Sequence, residues 1–511
     1  MSRHTVAART VSTSEGEMGD ALVVEDGRVV EVTQRASLPS EPDVTHQGRV
    51  IVPAFIDSHI HPLGYASLVN GTSLKDAASL SDLTDRLREA EQRLPAGRAL
   101  IAQRLDDTRL GRLPTRHDLD IVSGERPVLI YRYCGHIAVA NTAALSLAGI
   151  DRETVDPAGG TLDRDADDRP TGVLRETAVD LVGGPLGPIA PPPDDEDTLA
   201  ALEGLAASGI SRIGAMAAAS QPLWCGVGDE LATLCRLAQG LPIDVDVMVI
   251  AETAAELETA AEQVGAAGGR LRFWGWKGFA DGSLGGHTAA MWEPFLDIPT
   301  TGTLRLVADD ALRLSRTALE LGGIVALHAI GDRAVDETLD VFDKLVSEGT
   351  DAARLRVEHL SVASDAAIRR LADLGVVASV QPAFLGSEGD WVPARLGSSR
   401  SAYRFASMKD AGVRMIGGSD CPVEAPDPLQ GIHAAVVRSG WNDDQHLTPC
   451  QALALFTTGP ARHFGVPPPL APGSPADFVV VDGELGSPDA SIAAVYHRGE
   501  PQDIHPVPWP G

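Results

Sequence analysis

The sequence predicts an α/β fold, a (β/α)8 TIM-like barrel with a small β-sandwich domain formed from both termini and an insertion after the first barrel strand. Three observations predict it. Between about residues 200 and 465, short apolar strands alternate with amphipathic helices, which is typical of a parallel sheet covered by helices. Adding the apolar run at residues 49–62 gives eight strands, the number that closes such a barrel. Both ends of the chain have strand and turn patterns instead.

The two ends of the chain predict one small β-domain. Residues 21–32 (ALVVEDGRVVEV) hold two apolar runs separated by an acidic residue and a glycine, which is a β-hairpin pattern. Near the other end, ADFVVVDGELGS and IAAVYHRGE also read as strands with turns. We therefore expect residues 1–52 and 466–511 to form a composite β-sandwich domain.

The barrel itself is expected from residues 53–70 and 200–465. Its later strands are predicted in the segments GISRIGAMA, IDVDVMVI, LRFWGWKGF, GGIVALHAI, RLRVEHLSV, GVVASVQPA and VRMIGGSD. Helical patterns such as DDALRLSRTALELG and DRAVDETLDVFDKLVSEG lie between them. The remaining residues, 71–199, then become an inserted α+β segment.

The composition restricts the class of partner. The 511 residues include 42 basic and 71 acidic side chains, which gives a formal net charge of −29 at pH 7. This excess of acid disfavours nucleic acid and anionic membranes as partners, so a small-molecule substrate fits better. The five cysteines form no CxxC pair, which argues against a disulfide framework and a thiolate zinc site. Without a signal-peptide pattern or a long apolar span, we expect a cytoplasmic protein. We also expect a homodimer.

Side chains that can bind a metal end several of the predicted strands. His59 and His61 close the first strand, Lys277 is at the end of the fourth, His328 of the fifth, His359 of the sixth and Asp420 of the eighth. The C-terminal ends of barrel strands converge on one mouth, so residues far apart in sequence would meet there. Imidazole and carboxylate suit zinc and similar divalent ions.

Each of these residues also has an ordinary structural interpretation. An isolated HxH pair is weak evidence for a metal, although the two-residue period of a strand places both imidazoles on one face. His328 and His359 are each compatible with a hydrogen-bonded core histidine, and Asp420 with a turn or capping residue. The recurrence of such residues at so many strand ends favours a metal site.

The motifs VPAFIDSHIHP, KGFADGSLGGHTA, LHAIGDRAVDETLDVF, VEHLSVAS and GGSDCPV follow one another along the chain. In this order they resemble the metal-dependent amidohydrolase superfamily. More narrowly, they are similar to its amidohydrolase-3 branch, which includes N-substituted formamide deformylases and YtcJ-like proteins. The resemblance covers almost the whole chain, because GHIAVANTAALSLAGI resembles the insertion of this branch and LTPCQALALFTTGPARHFG its closing segment.

The resemblance implies a site for one or two divalent metal ions, with zinc as the expected metal. His59, His61 and Asp420 would bind one ion, and His328 and His359 would bind the second. Lys277 would be carboxylated by carbon dioxide, and the carbamate would bridge the two ions. An aromatic, desolvated strand favours the neutral amine that attacks carbon dioxide. A mononuclear site with an unmodified lysine stays open as a variant.

The expected function is metal-dependent hydrolysis of a non-peptide C–N bond, in an amide or an N-substituted formamide. A metal-activated hydroxide would attack the carbonyl group, and Asp420 would act as the general base. Lactone or ester hydrolysis, or deamination, at the same site is the alternative. A catalytically silent homologue that serves as a scaffold is a third hypothesis, which the retention of all six ligands disfavours.

Three further residues are candidates for substrate contacts by resemblance: His136, Asp281 and His287. Packing in turns and in the insertion explains each of them equally well. At His287 the chain departs from the arginine expected in this motif. Because an imidazole cannot form the bidentate contact of a guanidinium group, substrate preference is expected to differ there.

Overall fold

The computed structural model describes residues 3–132, 137–157, 160–190, 193–219, 230–389, 391–397, 402–438 and 442–504. Its strands, in chain order, are β1 (Arg3–Thr13), β2 (Gly16–Glu25), β3 (Arg28–Thr33), β4 (Val44–Pro53), β5 (Phe55–Ile60), β6 (Thr72–Ser73), β7 (Leu100–Leu105), β8 (Val128–Arg132), β9 (Ile137–Ala140), β10 (Gly160–Arg164), β11 (Pro170–Glu176), β12 (Ile210–Ala218), β13 (Asp244–Ile250), β14 (Leu271–Phe279), β15 (Ile324–Ala329), β16 (Leu355–His359), β17 (Val377–Val380), β18 (Arg414–Gly417), β19 (Phe478–Asp482), β20 (Ser491–His497) and β21 (Glu500–Gln502).

The α-helices, in chain order, are α1 (Pro62–Asn70), α2 (Leu80–Arg93), α3 (Asp107–Leu110), α4 (Arg116–Asp120), α5 (Thr142–Leu147), α6 (Asp180–Leu186), α7 (Asp195–Ala207), α8 (Glu230–Leu237), α9 (Ala254–Ala267), α10 (Ala308–Glu320), α11 (Asp332–Ser347), α12 (Asp365–Leu374), α13 (Phe384–Glu388), α14 (Val392–Leu396), α15 (Phe405–Asp410), α16 (Pro428–Val436), α17 (Pro449–Leu455) and α18 (Thr458–His463). Local sequence sets their ends. Helix α9, for example, begins with a capping box in which Thr253 and Glu256 each accept a hydrogen bond from the other's backbone N–H.

Both ends of the chain contribute to one seven-stranded sheet, in the order β21-β20-β19-β4-β1-β2-β3. Strand β4 joins the two ends, since it pairs in parallel with β1 and antiparallel with β19. The predicted hairpin is formed by β2 and β3 around Asp26 and Gly27, which both have positive φ. Val11, Leu22 and Phe478 belong to the buried apolar cluster of this sheet. The predicted sheet domain from both termini is confirmed.

The inserted segment contains a separate six-stranded sheet, in the order β10-β11-β9-β8-β7-β6. Strands β6, β7 and β8 pair in parallel, and β8 to β11 pair antiparallel. Helix α2 packs Leu83 and Leu87 into an apolar cluster with Leu100 and Ile130. This segment therefore has its own small core.

The third sheet has eight strands in the order β18-β17-β16-β15-β14-β13-β12-β5, and every pair in it is parallel. Backbone hydrogen bonds join the segment after β18 to the end of β5: the Asp420 N–H donates to the His59 carbonyl (2.7 Å) and the His61 N–H donates to the Cys421 carbonyl (2.8 Å). The eight strands thus come close to a closed ring, which confirms the predicted barrel.

Alternate side chains of the barrel strands face opposite sides. On β13, Val245, Val247 and Val249 pack in one large core with residues of the surrounding helices. Met248 lies instead in a small cluster with Met216 of β12, which is part of the barrel interior. Successive side chains of a strand point to opposite faces, so every second residue faces the barrel interior. The polar residues near the strand ends therefore point into the barrel.

The apolar run at residues 49–62 is divided between two sheets. Strand β4 ends at Pro53 in the terminal sheet, and β5 begins at Phe55 in the barrel. Between them, the Ala54 N–H donates to the Asp477 carbonyl (3.0 Å), and the next N–H, of Phe55, donates to the Gly209 carbonyl (2.8 Å). Hydropathy cannot reveal this change of partner, because both strands are buried and apolar.

Among the described residues, no helix combines the length and the apolar character that crossing a membrane requires.

Candidate metal centre

The barrel topology brings the predicted ligands to one end of the sheet. His59 lies on β5 and His61 directly follows it, whereas Lys277, His328 and His359 lie near the ends of their strands, β14, β15 and β16. Asp420 lies three residues beyond β18. These positions agree with the strand numbers expected from the sequence, and their roles as metal ligands stay predictions.

His59, His61 and Asp420 form a compact, buried group whose possible ligand atoms all lie within 4.8 Å of one another. The Asp420 Oδ1 atom is 3.2 Å from His59 Nε2 and 3.3 Å from His61 Nε2. The backbone contacts between β5 and the segment after β18 hold the three residues together. Two imidazoles and one carboxylate at this spacing are a suitable donor set for a divalent ion.

His328 and His359 form a second group beside the first. Their ring centroids are 4.5 Å apart, and the His359 ring is 4.9 Å from the His59 ring. The distance from His359 Nδ1 to Asp420 Oδ2 is 3.8 Å. The two groups thus share Asp420 as a neighbour, an arrangement that could hold two ions close together.

Lys277 is buried, with 2% of its surface exposed. Its Nζ atom lies 4.0 Å from the centre of the Phe279 ring, and that ring is 5.6 Å from the His328 ring. The lysine therefore reaches the same part of the barrel as the histidines. Its position on the inner face follows from the strand period, because Trp276, the preceding residue, is buried among the surrounding helices.

Three of the imidazoles are oriented by oxygen acceptors. His59 Nδ1 donates to Glu358 Oε2 (2.7 Å), His359 Nδ1 to Gln381 Oε1 (2.9 Å) and His328 Nε2 to the Gly282 carbonyl (2.8 Å). Because an ionised carboxylate and a carbonyl oxygen only accept, each ring nitrogen must carry the proton. The other nitrogen of each ring then has its lone pair available for a metal.

The electrostatics of the group suit a cation. Burial lowers the pKa of His61, and it lowers the pKa of His359 well below the usual value, with His328 adding to the effect. Burial opposes a charge on His59 as well, yet the carboxylates of Glu358 and Asp420 more than offset it and raise the pKa of His59. Burial likewise disfavours the Asp420 carboxylate, but the neighbouring imidazoles hold its pKa well below the usual value. A negative field that favours a proton also favours a metal ion.

Two of the three predicted substrate contacts lie within hydrogen-bond networks of the loops. Asp281 is fully buried and accepts hydrogen bonds from the backbone N–H groups of Ala290 (2.9 Å), Ile330 (3.0 Å) and Gly331 (2.8 Å). His287 has φ +53° and its Nε2 lies 2.9 Å from Asp297 Oδ2. His136 lies outside the described residues. A role in substrate binding stays a prediction for all three.

Several residues of the centre were not predicted, including Asp57, Arg356, Glu358 and Gln381. Glu358 directly precedes His359 in VEHLS, and Asp57 lies two residues before His59 in FIDSHIH. An acidic residue so close to a proposed ligand was the available signal. What it could not reveal is that Glu358 contacts His59, a residue on another strand.

Comparison with known proteins identifies the relatives of this chain. A sequence model of the amidohydrolase family matches residues 47–502. The putative amidohydrolase YtcJ of Bacillus subtilis is 31% identical over 499 residues, which cover 92% of each chain. The N-substituted formamide deformylase of Arthrobacter pascens is 26% identical over 490 residues, which cover 89% of this chain and 88% of the relative. The crystal structure of an uncharacterised metal-dependent hydrolase from Pyrococcus furiosus superimposes with a TM-score of 0.73 at 28% identity, covering 95% of this chain and all of the other.

Proposed function

The chain belongs to the amidohydrolase family of metal-dependent hydrolases, and we propose that it cleaves a non-peptide C–N bond, in an amide or an N-substituted formamide. The observation that supports this most is the buried group of His59, His61 and Asp420, whose ligand atoms lie within 4.8 Å of one another. The likeness to an N-substituted formamide deformylase supports the choice of substrate class.

We assign His59, His61 and Asp420 to one zinc ion, and His328 and His359 to a second. When bound, the ions supply Lewis acidity, which polarises a carbonyl group and lowers the pKa of a coordinated water. Lys277 carries a carbamate in this proposal. Its neutral amine attacks carbon dioxide, an N–C bond forms and one proton leaves to solvent. The burial of the side chain supports this assignment, because burial favours the neutral amine.

Asp420 is the general base. Its carboxylate faces the proposed metal position, with Oδ1 3.2 Å from His59 Nε2 and 3.3 Å from His61 Nε2. A carboxylate at this place can accept a proton from the attacking water. The water oxygen bonds to the carbonyl carbon, the C–N bond breaks and Asp420 passes the proton to the departing nitrogen. The products are an acid, formate for a formamide, and an amine.

The test is a hydrolysis assay on the purified, metal-loaded protein in the presence of bicarbonate. The panel contains N-substituted formamides, acyl anilides, cyclic imides and lactones, and amine, ammonia and acid are measured separately. We expect release of a substituted amine that a chelator abolishes and added zinc restores. Acid release from lactones alone, or ammonia release alone, would replace the proposal by ester hydrolysis or deamination. A metal-loaded protein inactive on the whole panel would favour the scaffold hypothesis.

A further inference from the structure

On the Nδ1 side of the His59 ring, the barrel interior contains two buried charged side chains. Glu358 and Arg356 both have 0% of their surface exposed. Glu358 Oε2 accepts the proton of His59 Nδ1 at 2.7 Å, and Glu358 Oε1 accepts a hydrogen bond from Arg356 Nε. Arg356 Nη2 in turn donates to the Ser58 carbonyl at 3.1 Å. The contacts run from β16 across the barrel to β5, which carries His59.

The other two oriented histidines donate to neutral acceptors, although the Asp281 carboxylate also lies near His328, with Oδ1 3.3 Å from Nε2. Gln381 Oε1 accepts from His359, and the backbone carbonyl of Gly282 accepts from His328. All three acceptors fix the tautomer of their ring, so geometry alone does not distinguish Glu358 from them. What distinguishes it is that a carboxylate, with its full negative charge, is itself the direct acceptor of the ring proton, whereas Asp281 Oδ1 is farther from the His328 ring and accepts the N–H of Ile330. Such a charge makes the facing nitrogen a stronger donor to a metal ion.

A buried charge pair is costly to keep, and an apolar replacement of both partners is often neutral for stability. Stability therefore does not explain why a glutamate lies behind His59. Arg356 is two residues away on the same strand, so it keeps Glu358 ionised without occupying the oxygen that faces His59. The arrangement leaves one carboxylate oxygen for the imidazole and one for the guanidinium group.

We propose that Glu358 is a positioning residue for His59, held in its charged form by Arg356, and that it makes the position formed by His59, His61 and Asp420 the tighter of the two metal positions. The inference rests on the metal assignment of the proposed function. It adds an order of binding, in which this position fills first and the one at His328 and His359 fills second.

The experiment is a titration of the metal-free protein with Co2+, followed by the visible absorption of the bound ion and by calorimetry. The variant E358Q keeps an acceptor for His59 but removes the charge. We expect the first binding step to weaken about 10-fold to 100-fold and the Co2+ absorption of that step to change, with the second step little altered. E230Q, at another buried glutamate outside the centre, is the matched control and should bind Co2+ as the wild type does.

E358Q leaves the Arg356 guanidinium buried without a full counter-charge, so the double variant R356M/E358Q accompanies it. This variant removes both charges and should show the same weakened first step. Wild-type Co2+ affinity and absorption in the double variant would overturn the inference. Co2+ binding is measured without substrate, so wild-type binding in the double variant would leave the proposed reaction untouched. Conversely, a wild-type protein that binds Co2+ in two unequal steps but hydrolyses nothing would contradict only the proposed reaction.

Discussion

The Asp57 carboxylate is bonded to Ser419 twice: its Oδ1 accepts the backbone N–H (3.0 Å) and its Oδ2 accepts the hydroxyl (2.6 Å). Oδ1 also accepts the N–H of His59 (3.1 Å). Asp57 lies on the first barrel strand and Ser419 beyond the last, so the pair crosses the line along which the barrel closes. Since His59 and Asp420 are next to these bonds in the chain, the pair also fixes two proposed ligands relative to each other.

The variant Ser419→Ala tests this link. It removes the hydroxyl but keeps the backbone bond, and it leaves Asp57 Oδ2 buried with one partner fewer. We expect a loss of about 1–3 kcal/mol in the free energy of unfolding and weaker metal retention, measured by urea denaturation and by metal analysis after dialysis. Ser347→Ala, at an exposed helix end, is the control and should change neither. Unaltered stability in Ser419→Ala would show that the closure does not depend on this bond.

Lys277→Ala tests the proposed carbamate. We expect turnover to fall below detection and metal content to drop, because the side chain that would bridge the two ions is gone. Short carboxylic acids such as acetate or propionate should restore part of the activity, since the truncation leaves room for a free carboxylate. Lys344→Ala, at an exposed lysine of α11, should behave as the wild type does. A Lys277→Ala protein with normal turnover and metal content would refute the bridging role.

Asp420→Asn tests the general base. The amide occupies the same space as the carboxylate but cannot accept a proton at neutral pH. We expect kcat to fall about 100-fold to 10,000-fold, with the fold retained in circular dichroism. Asp482→Asn, in an exposed ion pair with Arg49, is the control. Comparable kcat in both variants would remove Asp420 from the proposed proton transfer.

The sequence predicts the barrel well because its strands and helices differ strongly in period. The strand predicted at LRFWGWKGF has the same ends as β14, Leu271–Phe279. Because the C-terminal ends of barrel strands converge on one mouth, the predicted strands are enough to propose the six ligands without any knowledge of side-chain contacts. They cannot locate Glu358 behind His59, because these residues are 299 positions apart and their contact depends on the strand tilt and register across the barrel. The expected homodimer stays a prediction, because the structure describes a single chain.

A final prediction concerns stability and pH at Glu230, the first residue of α8. Its side chain is 1% exposed, and Oε2 accepts the N–H of Ala218 at 2.8 Å. Burial, only partly opposed by that bond, raises the pKa of Glu230 to about 7. The folded protein thus holds this proton more tightly than the unfolded chain does. The contribution to stability is complete below the unfolded value near 4.5 and is lost as the pH rises through about 7.

Glu230→Gln keeps the shape and the acceptor but cannot ionise, so it should not lose this contribution. We expect the variant to gain about 3 kcal/mol in unfolding free energy relative to the wild type between pH 4.5 and pH 8. Urea denaturation of both proteins across this range measures the difference in their unfolding free energies. The contributions of titrating groups that the two proteins share cancel in this difference. A difference that is constant with pH would show that Glu230 titrates at an ordinary value, and one that shrinks as the pH rises would show that the folded protein stabilises its charged form.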